Sequence, residues 1–113
     1  MTVSPTGANK FEKRGFKSKQ GLNNHWAEHG HQYPGFTREQ YEKRSLELVE
    51  SAVGGKILGH TDKDDVVVRY DKEANDFVKG KPPKGVFTMF KPEDGAAYYQ
   101  AQREEDLKHG GKA

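Results

Sequence analysis

At Gly54-Gly55 the hydrophobic period of this chain changes from 3.6 residues to 2. Helices therefore precede a block of strands rather than alternating with them, which restricts the fold class to α+β. Before the change, Ser18 is an N-cap and Gly30 stands at C′, so residues 19–29 read as a short helix. Tyr33-Pro34-Gly35-Phe36 is a turn, and Thr37 with Gln40 forms a capping box for a second helix. On that helix Tyr41, Leu48, Val49 and Ala52 share one face, and charged residues cover the rest. After the change come four short β-type segments, at residues 56–60, 65–70, 76–79 and 86–91. Their short loops predict an antiparallel four-stranded meander on which the N-terminal helices pack. Pro92 stops the last strand, and Asp94 caps a short C-terminal helix through Ala97, Tyr98, Ala101 and Leu107.

A chain of 113 residues suffices for one domain. Only 32% of its residues are hydrophobic and 32% are charged, so its core is small. With no cysteine, disulfides and thiolate metal sites are excluded. No apolar run reaches the length of a membrane span, and no signal-peptide core is present, so membrane insertion by this segment is not expected. Residues 1–15 have Ser, Pro, Gly and Asn with no periodicity and read as a mobile leader or linker. Residues 16–108 form the domain, and residues 109–113 a disordered tail.

Three of the five histidines and the only tryptophan lie within residues 24–33. On the first helix Leu22, Trp26 and His29 fall at i, i+4 and i+7, with His25 one turn before His29. Imidazoles thus border an apolar stripe, and imidazole is the side chain that exchanges a proton near neutral pH unaided. The net charge of +2 is unevenly spread. Residues 1–33 carry Lys10, Lys13, Arg14, Lys17 and Lys19 against Glu12 and Glu28, and residues 79–91 carry Lys79, Lys81, Lys84 and Lys91 with no acid. Two such basic segments either converge on one polyanion-binding face or remain separate solvated surfaces.

The ordered set Leu22-x-x-His25-Trp26-x-x-His29-Gly30-x-x-Tyr33, Val68-Arg69-Tyr70-Asp71, Asn75-x-Phe77, Val86-Phe87-Thr88-Met89-Phe90-Lys91-Pro92 and Tyr98-Tyr99 resembles the colicin D-type ribonuclease domains. Those domains belong to the barnase/colicin-type nuclease group and sit at the C-termini of contact-dependent inhibition and other polymorphic toxins. The resemblance covers roughly residues 16–102. It implies helices on a four-stranded antiparallel sheet and metal-independent cleavage of tRNA, in the anticodon loop, by attack of the 2′-hydroxyl. It also implies a larger delivery protein N-terminal to the domain, secretion or cell-surface delivery, and action in the target cytoplasm. An acidic immunity protein covering His29, Arg69 and the 79–91 segment is implied as partner. His29 matches the family's motif histidine and takes acid–base work, with His25 as the second candidate. Thr88 and Lys91 lie where the family keeps a hydroxyl and a cation for the scissile phosphate. Glu28 departs from the pattern, since the family has Lys or Arg there.

The substrate contacts expected are Arg69 with its planar fork, Lys79, Lys81, Lys84, Phe90, and one of Tyr98 and Tyr99, with Tyr99 taken first. Plainer readings stand beside these. His25 and His29 are equally hydrogen-bonded border residues of a helix, Arg69 a cross-strand ion-pair partner, and Thr88 a β-former. Trp26 reads as core, His31 and His60 as surface, and His109 as tail. The i, i+4 spacing of His25 and His29 is that of a zinc helix. Glutamate does not directly follow the first histidine, however, and no third ligand follows at a recognised spacing. No metal or cofactor is expected on these grounds. A non-catalytic RNA-binding or phage structural module is the rival class.

Overall fold

The turn chemistry of the second half dictates a meander. Asp62 Oδ1 accepts from the backbone N–H groups of Asp64 and Val66, and Asp71 Oδ1 from those of Glu73 and Ala74. Each carboxylate thereby closes a tight reversal between alternating segments. In the computed structural model, which describes residues 10–113, the resulting strands are β1 (Ile57–Thr61), β2 (Val67–Asp71), β3 (Asp76–Lys81) and β4 (Gly85–Phe90). They pair antiparallel in chain order, with one register shift between Lys79 and Gly80. The helices are α1 (Lys19–His29), α2 (Arg38–Val49) and α3 (Ala96–Lys108).

Strand alternation gives the sheet two apolar faces. Val67, Val78 and Met89 look toward α1 and α2 and join Leu22, Tyr41, Leu48 and Val49. Val68, Tyr70 and Phe77 look the other way and join Tyr99 of α3. The molecule is thus a sheet between two helical layers, the α+β architecture expected, with a C-terminal helix of 13 residues. Burying each such side chain contributes about 1.5–3 kcal/mol, and Tyr41 adds a hydrogen bond from its hydroxyl to the carbonyl of Met89.

The helix termini differ in detail from expectation. The capping box of Thr37 and Gln40 is present. However, α2 stops at Val49, because Glu50 turns inward to accept a 2.7 Å bond from the Phe11 N–H and to pair with Arg14. Gly30 is not a left-handed cap: at φ −57° it continues α1 into a 3-10 turn over Gly30–Gln32. A Cβ there would lie 3.1 Å from the Trp26 ring, which is why glycine occupies the position. The residue before α3 is Gly95, at φ 58°, and no side chain caps that helix, so Asp94 does not act as expected.

Both proposed ends need correction. Residues 1–9 lie outside the described residues, but the rest of the expected leader is part of the fold. Phe11 is fully buried, and residues 12–17 run along the start of β4, where Phe16 and Val86 form a parallel bridge. At the other end Lys112 exchanges backbone hydrogen bonds with Thr61 at 2.8 and 2.9 Å, so the tail docks on β1. Among the described residues, no helix is long and apolar enough to cross a membrane.

Candidate active site

β4 is an edge strand, and α1 lies beside it with its histidine side turned to the sheet's α3 face. Directly paired residues share a face of the sheet, so Thr88 of β4 stands beside Lys79 of β3, and Phe90 beside Phe77. His25 reaches over the edge to this face, its Nδ1 lying 3.2 Å from Thr88 Oγ1. One helical turn later the His29 ring stacks on His25, with centroids 5.8 Å apart and planes at 16°. The His29 ring also stacks on Phe90 at 5.3 Å, and Phe16 lies 5.8 Å from the His25 ring. The two imidazoles are therefore half-buried in an aromatic row that fixes their orientation.

Burial of His29 holds its pKa below the ordinary imidazole value. The neighbouring rings of His25 and His31 act in the same sense, and Glu28, 3.7 Å away, acts against them. A neutral imidazole at pH 7 has a lone pair with which to accept a proton. Two fixed imidazoles, a hydroxyl and the ammonium of Lys79 on one face can move a proton and steady an anionic oxygen. His25, Glu28 and His29 also place one donor atom each within 4.8 Å of the others, so the same turn of helix could hold a metal ion.

The structure brings together His25, His29, Thr88, Phe90 and Lys79 of the residues expected in the site. Lys81 and Lys84 follow at the β3–β4 turn, where the first basic segment meets the second. Lys17 N–H donates to the Val86 carbonyl at 2.8 Å, Glu12 N–H to that of Pro82 at 3.1 Å, and the Lys17 ammonium sits 5.7 Å above the Phe87 ring. Lys84 is exposed and Lys81 partly so. Lys13 and Lys17 of the first segment thus border Lys81 and Lys84 of the second along one margin.

Three expected residues lie elsewhere. Arg69 is buried on the opposite face and donates to the carbonyls of Ser51 and Val68, each at 2.8 Å, so it is neither a phosphate clamp nor an ion-pair partner. Lys91 points away from Thr88, as alternation along a strand requires. Its ammonium donates to Asp76 and to the Ala74 carbonyl, both at 2.8 Å, and lies 4.7 Å over Tyr33 in a cleft of about 580 Å³ on the α2 side. Tyr99 is buried beneath α3, with its hydroxyl 2.9 Å from His60 Nδ1. His60 is itself only 2% exposed, bound through Nε2 to Asp106 at 2.7 Å, and is no surface residue.

Sequence reasoning passed over Phe16 and Gln32 and took first the wrong member of the Tyr98–Tyr99 pair. Tyr98, not Tyr99, is the half-exposed member of the pair, with its ring edge-on to Phe77 at 5.1 Å and Phe90 at 5.6 Å. Phe16 backs His25, and Gln32 pins the end of β4 through two 2.9 Å bonds with the Lys91 backbone. The adjacency of two tyrosines was the one available signal, since only one of them faces inward. No protein-family model matches this chain, and no curated protein does.

Proposed function

We propose that the domain is a metal-independent endoribonuclease, an antibacterial toxin that cleaves tRNA, with the anticodon loop as its target. The observation that carries this reading is the pairing of two stacked, oriented imidazoles with Thr88 and Lys79 on an accessible edge of the sheet. Attack of a ribose 2′-hydroxyl on the adjacent phosphorus needs a base for that hydroxyl and a donor for the leaving oxygen. His29, held toward its neutral form, suits the base. His25 then serves as the donor, with Thr88 hydrogen-bonded to its other nitrogen. Lys79 neutralises charge building on the phosphoryl oxygens, a role the resemblance would have given to Lys91.

Substrate choice rests on two further features. Phe90 and Tyr98 offer aromatic surface beside the imidazoles, suited to unpaired, splayed bases of the kind an anticodon loop presents. The lysine margin follows the phosphate chain. The resemblance to colicin D-type domains supplies the tRNA preference, the delivery by a larger protein into a target cytoplasm, and the acidic immunity partner.

The test is incubation of the purified chain with total tRNA in EDTA, followed by sequencing of the fragment ends. Cleavage leaving a cyclic phosphate and a 5′-hydroxyl is expected. Cleavage that stops in EDTA would replace this reading with a metal-dependent one, and binding without cleavage would replace it with an RNA-binding module.

A further inference from the structure

We propose that His25, Glu28 and His29 form a binding site for a single Zn²⁺ ion, and that filling it shuts the candidate active site. The site itself needs no assumption about activity; its inhibitory effect rests on the ribonuclease reading. Glu28 and His29 follow His25 by three and four residues, so all three side chains project from the same side of α1. Their donor atoms already lie within 4.8 Å of one another. Zinc–nitrogen and zinc–oxygen bonds of about 2 Å require these atoms to close up slightly. The Glu28 carboxylate can swing to do so, because its side chain is 72% exposed.

The histidines are prepared for such a role. In the tautomer that donates Nδ1–H to Thr88 Oγ1, His25 has its lone pair on Nε2, free to bind metal. This is the outer partner that a zinc-bound histidine requires. The flanking rings of Phe16 and Phe90 hold both imidazoles in place, so little side-chain freedom remains to be lost on binding. Two imidazoles and a carboxylate suit a borderline cation such as Zn²⁺ better than Mg²⁺ or Ca²⁺. Three protein ligands leave a fourth position for water. Metal bonds then occupy the lone pairs that proton transfer requires, and the ion's charge stands where the base should act.

The experiment titrates the untagged chain with Co²⁺, read by visible absorption, and then displaces it with Zn²⁺. One equivalent should bind, with bands of a four- or five-coordinate ion. His25→Ala or His29→Ala should abolish the signal while far-ultraviolet circular dichroism stays unchanged. Thr88→Val should weaken affinity by about tenfold, and His31→Ala should leave it unaltered. Absence of saturable binding, or binding that survives His25→Ala, overturns the site. In a second arm, equimolar Zn²⁺ should suppress tRNA cleavage at least tenfold and EDTA should restore it. Zinc bound at these residues with undiminished cleavage overturns the inhibitory effect. Zinc bound with no cleavage in either state leaves the site standing and removes the ribonuclease reading instead.

Discussion

His25 Nδ1 and Thr88 Oγ1, 3.2 Å apart, join the helix that carries the imidazoles to the edge strand that carries the hydroxyl. The contact spans two elements whose sequences give no hint of each other. It turns a helix-border histidine and a good β-former into one unit, because each fixes the other's hydrogen-bonding direction. Thr88→Val keeps the shape and β preference of the residue and removes only the hydroxyl. On the proposed mechanism it should reduce tRNA cleavage by about tenfold, the kinetic equivalent of one lost hydrogen bond. His29→Ala should reduce cleavage by at least ~10²-fold, as expected for a lost acid–base group. Both variants should melt cooperatively. Near-normal turnover by folded His29→Ala would remove His29 from the chemistry.

Much of this arrangement was legible beforehand, and the remainder was hidden for physical reasons. The shift in hydrophobic period located the four strands. The resemblance set Lys91 beside Thr88, whereas alternation along the strand turns its ammonium to the other face, toward Asp76. The i, i+4 spacing put His25 and His29 on one helical face, where they stack. Arg69 was misjudged because side-chain type says nothing about depth. Val67 and Arg69 share a strand face that looks into the α2 layer, and the guanidinium donates there to the carbonyls of Ser51 and Val68. His60 and Tyr99 were misplaced because a lone histidine in a short strand reads as exposed until a later helix covers it. Asp106 lies 46 residues further along the chain. The expected leader concealed Phe11 because its burial depends on Glu50 at the end of α2, a contact with no local pattern.

Acid should unfold the protein partly through Asp71. This carboxylate is fully buried and bound by Arg44 at 2.8 Å, with a second Arg44 bond to Asp76 at 3.1 Å. Burial alone would raise its pKa, but the Ala74 and Glu73 N–H groups, Arg44 and Lys56 together hold it below the ordinary carboxylate value. A group whose folded pKa lies below its unfolded one contributes stability that is full above about pH 4 and fades as pH falls through the folded value. Asp71→Asn should therefore lower Tm at pH 7, and the difference from the parent should narrow as pH falls below about 4. A difference in Tm that is constant over that range would show that Asp71 acts by shape rather than by charge.

Salt dependence tests the lysine margin independently of any cleavage step. With catalysis blocked by His29→Ala, tRNA affinity should fall steeply as salt rises, because each neutralised phosphate releases bound counterions. Replacing Lys81 and Lys84 together with Met should flatten the slope of log affinity against log salt by about 1.5–2. The same replacement of Lys91 should leave the slope unaltered and lower thermal stability, since its ammonium is engaged by Asp76 on the opposite side of the sheet. A slope that changes with Lys91 but not with Lys81 and Lys84 would place the nucleic acid in the α2 cleft.

A nuclease of this kind would destroy the tRNA of the cell that makes it, so the producing cell requires an inhibitor that acts before delivery. The surface to be covered has a defined composition: Lys79, Lys81 and Lys84 along the β3–β4 hairpin, Lys13 and Lys17 beside its turn, and the aromatic row from His29 to Tyr98. An acidic protein that places carboxylates against these lysines imitates the RNA backbone, and an apolar side chain set against Phe90 and Tyr98 imitates a base. Arg69 has no part in this contact, because it is buried on the far face. Lysines at the margin accelerate encounter, whereas the aromatic centre governs escape. Lys81→Glu combined with Lys84→Glu should therefore slow association by about tenfold or more at low salt and change dissociation little. Tyr98→Ala should do the reverse. Stopped-flow binding at two salt concentrations, with an acidic inhibitor of this kind, separates the two effects. If the charge-reversed variant associates at the parental rate, the partner does not use this surface. If the active, folded domain proves harmless when expressed alone, the need for a partner disappears, and the toxin reading goes with it.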